Sequence, residues 1–167
     1  RQEETNSSSA TGIIMDPETG EVLAMATTPG FDNNKFGSTK PELHRIRSIT
    51  DQFEPGSTFK VVSTVSALYG GLISLNDEFN CENGLFEYHT KKITDHESHS
   101  MLTASQILHH SSNIGIIKIM DQVGRKRLFS MSRDFGFGSK TGINLNGEVS
   151  GNLNHFNDWS AVSLGMI

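Results

Sequence analysis

The sequence contains a single cysteine, Cys81, among 167 residues. One cysteine excludes an internal disulfide framework and any Cys-x-x-Cys metal or redox site. Basic residues are also scarce, because 14 lysines and arginines stand against 19 aspartates and glutamates, for a formal net charge of −5. This balance argues against a general nucleic-acid-binding protein. No apolar run approaches the roughly 18 residues that a membrane-spanning helix needs.

The remaining composition is that of a globular domain, with 35% hydrophobic residues and 16 glycines. The length leaves room for one domain with a sizeable core. Residues 1–10 are polar and are expected to form a linker or frayed end. Two short apolar runs, 12–15 and 21–26, flank a connection with proline early and glycine late, which predicts a β-hairpin.

Helix signals dominate the middle of the chain. Pro55-Gly56 precedes residues 57–69, which are apolar or small almost all round and end at glycine, so the pattern predicts a buried helix. Thr103 and Gln106 have the spacing of a capping box that starts a second, short helix. Helical spacing also predicts helices over 113–123 and 125–133, whereas residues 73–101 give no clear elements.

The segment Ser57-Thr58-Phe59-Lys60 places a serine three residues before a lysine, on one face of the predicted helix. A serine hydroxyl needs an adjacent base to act as a nucleophile, and a lysine can be that base once burial lowers its pKa. The N–H groups of the first helical turn favour negative charge developing there. A helix cap with a solvated lysine gives the same bare pattern, but the apolar neighbours of Lys60 favour the catalytic interpretation.

A second candidate segment is Ser111-Ser112-Asn113, which lies between two predicted helices. A serine at this junction could relay a proton between the lysine and a leaving group, and Asn113 could hold a substrate amide or steer the lysine. Serine and asparagine are also preferred N-cap residues, so a purely structural cap for the helix over 113–123 is the alternative.

Together these segments resemble a class B penicillin-binding protein, a peptidoglycan D,D-transpeptidase, whose relatives share a serine–lysine motif set. The residues that carry the resemblance occur in family order and are found at 14–25, 53–60, 111–115, 135–138, 141–148 and 159–160. The resemblance implies an α+β fold like that of the serine β-lactamases and penicillin-binding-protein transpeptidases. Helices should dominate here, with only the N-terminal hairpin of the family's sheet present.

The resemblance also implies roles for individual residues. Ser57 would attack the D-Ala-D-Ala carbonyl of a peptidoglycan stem peptide, Lys60 would take its proton, and Ser111 and Asn113 would form the second motif. The backbone N–H of Ser57 would be one of two oxyanion donors. Ile93-Thr94-Asp95 fits a family segment in a structural capacity.

Partners and location follow from the same resemblance. Stem peptides are the expected substrates, β-lactam antibiotics are the expected covalent inhibitors, and proteins of the divisome or elongasome are candidate partners. No cofactor, metal or nucleic acid is expected. The family works on the outer face of the cytoplasmic membrane, to which it is anchored by a helix that this sequence does not contain.

Lys140-Thr141-Gly142 matches the family's third motif literally, but its glycine-rich context belongs to a segment ahead of the true motif. The true motif is expected beyond a segment such as Ser163-Leu164-Gly165. We therefore expect residues 11–167 to be the N-terminal part of a transpeptidase domain without its third motif. A lost oxyanion donor costs on the order of a hundred- to thousandfold in rate, so the chain alone is expected to be inactive.

Two alternatives remain at this stage. A class D β-lactamase or a β-lactam sensor domain shares the helix start, but has Ser-x-Val where this sequence has Ser111-Ser112-Asn113. A non-catalytic scaffold of a cell-wall synthesis complex would retain the fold without the chemistry. The histidines around residues 89–110 match no metal-binding motif, and Cys81 is expected to be structural or incidental.

Overall fold

A computed structural model describes residues 2 and 4–160, so the apolar end of the chain, including Ser163-Leu164-Gly165, lies outside the described residues. The described residues divide into two units. One unit comprises Arg1–Gln52 with Gly142–Val149, and the other comprises Phe53–Thr141 with Ser150–Ile167. The candidate site belongs entirely to the second unit.

The predicted hairpin is the main feature of the first unit. Strands β1 (Ala10–Met15) and β2 (Val22–Thr28) pair antiparallel, with a register shift between Ile14 and Met15. In the turn between them, the Asp16 carboxylate accepts hydrogen bonds from the N–H groups of the second and third residues that follow it. A short helix α1 (Arg47–Thr50) packs against both strands. Within the described residues, no third strand extends this sheet.

The second unit is built on four helices and two small strand pairs. A 3-10 turn, Gly56–Phe59, leads into α2 (Lys60–Tyr69), and the helices α3 (Ala104–His109), α4 (Asn113–Val123) and α5 (Arg125–Asp134) follow. Strand β3 (Glu78–Asn80) pairs with β6 (Met101–Thr103), and β4 (Leu85–Tyr88) pairs with β5 (Lys91–Thr94). Further short 3-10 turns of the described residues lie at Asn33–Ser38, Pro41–His44, Glu82–Gly84 and Phe156–Asp158.

The core of the second unit lies where α2 packs against α4 and α5. Its largest fully buried side chains include Phe59, Ile107, Ile114, Ile117, Ile119, Met120 and Leu128. The helix α4 can approach α3 closely because Gly115 has no side chain to meet Ile107. Burial of these side chains stabilises the unit by roughly 1.5–3 kcal/mol for each large one. It also fixes the helices that carry the candidate site.

The sequence predictions agree with the structure at the hairpin and at the helix caps. Thr103 and Gln106 form the predicted capping box at the start of α3. The helix predicted over 57–69 differs, because its first turn is 3-10 and the α-helix begins only at Lys60. The strand pairs within 73–103 were not predicted, since strands of three or four residues are too short to show a periodicity. No helix among the described residues is both long and apolar enough to cross a membrane.

Candidate active site

Ser57 lies on the exposed surface of the 3-10 turn that precedes α2. The residue before it, Gly56, has a φ of 59°, a left-handed conformation that side-chain-bearing residues rarely adopt. The turn is anchored by Phe59, which is buried and makes an edge-on ring contact with Phe137 at 5.1 Å between centroids. Phe59 thus anchors the turn in the core, whereas Ser57 is exposed and its hydroxyl makes no hydrogen bond to any described residue.

Lys60 follows one turn later and is buried, with only 6% of the residue exposed. Its Nζ donates hydrogen bonds to the backbone oxygen of Ser111 at 2.5 Å, to the hydroxyl of Ser111 at 3.0 Å and to Oδ1 of Asn113 at 2.7 Å. The three acceptors match the three donors of an ammonium group. The structure therefore brings three of the four predicted site residues into direct contact.

The segment between α3 and α4 aims these acceptors at the lysine. Ser111 has a φ of 54°, which is uncommon for a residue with a side chain, and its carbonyl points toward Nζ of Lys60. The amide of Asn113 is oriented by a second contact, since its Nδ2 donates to the backbone oxygen of Thr94 at 2.8 Å. That contact leaves only Oδ1 of Asn113 to face the lysine.

Asp95 positions the start of α4. Its Oδ1 accepts from the N–H groups of Asn113 at 2.6 Å and Ile114 at 3.1 Å, and its Oδ2 accepts from the hydroxyl of Ser112 at 2.6 Å. A carboxylate at this place satisfies N–H groups that the helix leaves unpaired and is favoured by the helix dipole. The sequence indicated only a structural role for Ile93-Thr94-Asp95, and the structure specifies that role as the anchor of the second motif.

Ser112 fulfils the capping role that the sequence offered as an alternative. It is the N-cap of α4, its hydroxyl accepts from the N–H of Gly115 at 2.9 Å, and the residue is buried beside the sulfur of Cys81. Ser111 and Asn113, on either side, contact Lys60 instead. The structural interpretation therefore holds for Ser112, whereas the catalytic roles of Ser111 and Asn113 stay a prediction.

Two electrostatic effects shift the pKa of Lys60 in opposite directions. Burial lowers the pKa of Lys60 below its ordinary value of 10.5, because the charged ammonium loses hydration. The carboxylate of Asp95 opposes this effect through its favourable interaction with the ammonium. The pKa nevertheless remains lowered, so burial is the larger effect, and the neutral amine is more accessible than for a lysine in water.

The literal match to the third motif, Lys140-Thr141-Gly142, lies outside every strand that the structure describes. Lys140 and Thr141 are exposed residues in a segment without regular structure, after the glycine-rich turn that ends α5. The resemblance places the family's third motif on a core strand, and the interpretation of Lys140-Thr141-Gly142 as a decoy stays a prediction.

The family described as "Penicillin binding protein transpeptidase domain" matches residues 10–166. That match covers nearly the whole chain, and the chain belongs to this family. The α+β fold predicted from the resemblance is confirmed by solved structures of the same kind.

Two curated relatives illustrate the range within the family. The chain is 36% identical over 154 residues to "Peptidoglycan D,D-transpeptidase FtsI" of Escherichia coli (strain K12), covering 92% of the chain and 26% of the relative. It is 32% identical over 144 residues to "Stage V sporulation protein D" of Bacillus subtilis (strain 168), covering 84% of the chain and 22% of the relative. The chain thus spans about a quarter of the length of these relatives.

A solved structure supports the fold directly. The transpeptidase domain of Burkholderia pseudomallei penicillin-binding protein 3, in its apo form, superimposes with a TM-score of 0.82 at 26% sequence identity. The alignment covers 99% of this chain and 45% of that chain.

Proposed function

We propose that the protein is a penicillin-sensitive peptidoglycan D,D-transpeptidase in which Ser57 is the nucleophile. Lys60 is its general base, and Ser111 and Asn113 complete the site. The observation that carries the proposal is the three-acceptor site around Nζ of Lys60, one turn after an exposed serine. Similarity to relatives named peptidoglycan D,D-transpeptidases supports the choice of reaction.

In the first step, Oγ of Ser57 attacks the carbonyl carbon of the penultimate D-alanine of a stem peptide. The hydroxyl proton passes to neutral Lys60, and the carbonyl electrons move onto oxygen. When the tetrahedral species collapses, the C–N bond breaks and the terminal D-alanine leaves as an amine that receives a proton. The product is an ester between the stem peptide and Ser57. Ser57 is the second residue of the 3-10 turn, so its backbone N–H has no hydrogen-bond partner within that turn. This N–H can therefore donate a hydrogen bond to the oxyanion.

The Ser111 hydroxyl suits both charge states of Lys60. When Lys60 is an ammonium, all three of its N–H groups donate, as the observed contacts indicate. When Lys60 is neutral, it keeps two N–H donors for the Ser111 carbonyl and Asn113 Oδ1, and its lone pair takes the proton of Ser57. The resulting ammonium donates again to the Ser111 hydroxyl, which can pass its own proton to the leaving amine.

In the second step, an amine from a neighbouring strand attacks the ester carbonyl and restores the Ser57 hydroxyl, which forms the cross-link. A β-lactam would acylate the same serine because it mimics acyl-D-Ala-D-Ala. The location that goes with this reaction is the outer face of the cytoplasmic membrane, and divisome or elongasome proteins are its candidate partners.

The test is acylation of the whole protein by a fluorescent penicillin, followed on a denaturing gel. Ser57→Ala is expected to abolish labelling, because no other residue replaces the attacking oxygen. Ser105→Ala is the matched control, since it removes the hydroxyl of another exposed serine of the same unit, on α3. Undiminished labelling of Ser57→Ala would rule out Ser57 as the nucleophile.

Turnover separates the alternatives. A transpeptidase holds the penicilloyl ester, whereas a class D β-lactamase hydrolyses nitrocefin with many turnovers. The observed contact between Lys60 and Asn113 Oδ1 supports the transpeptidase, because a valine at this position has no acceptor. A scaffold protein would not be labelled at all.

A further inference from the structure

Three side chains with metal-ligating atoms converge beside the second motif. Nε2 of His99 lies 3.2 Å from Oε2 of Glu97, and Nδ1 of His110 lies 3.4 Å from the same oxygen. All three ligand atoms lie within 4.8 Å of one another, and the two imidazole rings are 4.4 Å apart between centroids. The sequence predicts no metal here, because the residues come from two segments without a motif spacing.

We propose that Glu97, His99 and His110 form a binding site for a divalent transition-metal ion, with Zn²⁺ the preferred ion. Zinc binds imidazole nitrogen and carboxylate oxygen at about 2.0–2.2 Å, so neighbouring ligands of a tetrahedral zinc lie roughly 3.3 Å apart. The two distances to Oε2 of Glu97 have this value. Imidazole ligands select zinc and its neighbours over Mg²⁺ and Ca²⁺, which prefer oxygen.

Backbone and side-chain contacts hold the ligand loop in place without the metal. The hydroxyl of Ser98 donates to the backbone oxygen of Asn83 at 2.7 Å, and the N–H of Cys81 donates to the backbone oxygen of Ser100 at 2.7 Å. On the other side, His110 directly follows the last turn of α3. A site whose ligands are already positioned loses less conformational entropy on binding.

The exposure of the three side chains provides an entry path and a place for a fourth ligand. Glu97 is 69% exposed, and the two histidines are 25% and 30% exposed. Two histidines and one carboxylate leave one coordination position of a tetrahedral zinc for water. The competing arrangement is a metal-free cluster in which imidazole N–H groups donate to the carboxylate, and a metal titration distinguishes the two.

The position of the proposed metal site in the fold indicates a structural role for the metal. Glu97 lies two residues after Asp95, which anchors α4, and His110 immediately precedes Ser111, which contacts Lys60. A metal ion would therefore join both flanks of the second motif. The proposal does not depend on the reaction assigned to Ser57.

The experiment is titration of the metal-free whole protein with Zn²⁺ in competition with a chromophoric chelator, with Mg²⁺ in parallel. We expect one equivalent of Zn²⁺ to bind and Mg²⁺ not to compete. Glu97→Gln, His99→Gln and His110→Gln should each weaken binding at least about tenfold, the lower limit for losing even an outer-shell partner of a zinc site. His96→Gln and His89→Gln are matched controls, because both are exposed histidines of the same unit outside the cluster.

Substitution with Co²⁺ provides a second, spectroscopic readout of the coordination geometry. A tetrahedral site should give intense visible absorption in the wild-type protein and in both control variants, but not in the three ligand variants. Circular dichroism identifies any ligand variant that fails to fold. Equal Zn²⁺ affinity in the wild-type protein and in folded ligand variants would overturn the proposal. Failure of the wild-type protein to bind one equivalent of Zn²⁺ saturably would also overturn it, and the three side chains would then form only a hydrogen-bonded cluster.

Discussion

Nζ of Lys60 donates a hydrogen bond to Oδ1 of Asn113 over 2.7 Å, although the two residues are 53 positions apart in the chain. The contact joins the first turn of α2 to the first residue of α4. It depends on the packing of the two helices against each other, and it places an amine in a buried setting next to the turn that carries Ser57. Burial of this amine and the groups that maintain it have consequences for activity, stability and pH dependence.

The acylation rate should rise with pH. If Lys60 is the base, only its neutral form can take the proton of Ser57, and burial lowers the pKa of Lys60 below 10.5. The rate of acylation by a fluorescent penicillin should therefore increase to a plateau, with a midpoint below pH 10.5. Lys126→Met, which removes an exposed lysine, should leave the profile unchanged. A profile that is flat, or that has its midpoint at or above 10.5, would contradict the assignment.

Stability should depend on pH for the same reason. Because the pKa of Lys60 is lower in the folded state than in the unfolded chain, the unfolded chain binds more protons between these two pKa values. The free energy of unfolding should then rise with pH from the lowered pKa up to about 10.5. Lys60→Met should remove this part of the rise, which denaturant titration at several pH values would measure as a difference from wild type.

Asp95→Asn should have two separate effects. Three hydrogen bonds at the start of α4 lose a charged acceptor, so we expect a loss of about 1–3 kcal/mol in the free energy of unfolding. The Asp95 carboxylate also raises the pKa of Lys60, so its removal should lower that pKa further and move the acylation profile to lower pH.

Asp77→Asn is the matched control for this change. Asp77 likewise accepts from an N–H and a hydroxyl, both of Ser74, but its contacts are in an exposed turn. It should leave the pH profile of acylation in place. A shift of the Asp95→Asn profile to higher pH would show that the carboxylate does not act on Lys60 as described.

Gly56→Ala should destabilise the turn that carries Ser57. The φ of 59° at Gly56 costs a residue with a Cβ roughly 1–2 kcal/mol, although no atom lies within 4 Å of the added methyl. Gly37→Ala is a suitable comparison, because Gly37 also lies in a 3-10 turn with open space around it but does not have a positive φ. Thermal unfolding of both variants checks the prediction, and equal melting temperatures would contradict it.

Gly115→Ala should also destabilise the protein, although alanine is the better helix former by about 1 kcal/mol. A methyl at this position would lie 2.6 Å from Cδ1 of Ile107, and overpacking of this kind costs about 1–3 kcal/mol. The cost should shrink or reverse in an Ile107→Ala background, where the clash is absent. Additive effects of the two substitutions, measured by denaturant unfolding, would show that this contact is not the cause.

The sequence predicted local features of the fold well and the relations between distant segments poorly. The caps at Thr103 and Ser112 depend on residues three positions apart, so a short window contains the whole signal. The contacts of Asp95 reach residues 17 to 19 positions later, through a strand pair too short to recognise. The cluster of Glu97, His99 and His110 likewise exists only after α3 has packed.

The candidate site likewise combines local features that the sequence predicts with relations between distant segments that only the structure shows. Spacing and residue chemistry singled out Ser57, Lys60 and the segment 111–113, and the resemblance gave them roles. The structure brings Lys60, Ser111 and Asn113 together without testing their chemistry. The dual use of the second motif, with Ser112 as cap and its neighbours facing the lysine, required the backbone geometry. No spacing rule distinguishes the two serines, because their difference is one of direction.

The left-handed backbone at Ser111 has a consequence for how this site can vary. One of the three acceptors for Lys60 is a main-chain oxygen, which no side-chain substitution removes. Its direction depends on a torsion angle that glycine, asparagine and aspartate adopt more readily than β-branched residues. A substitution at position 111 therefore affects two properties of the site. It removes the Ser111 hydroxyl, and a β-branched residue there would also strain the backbone that directs the carbonyl toward Lys60.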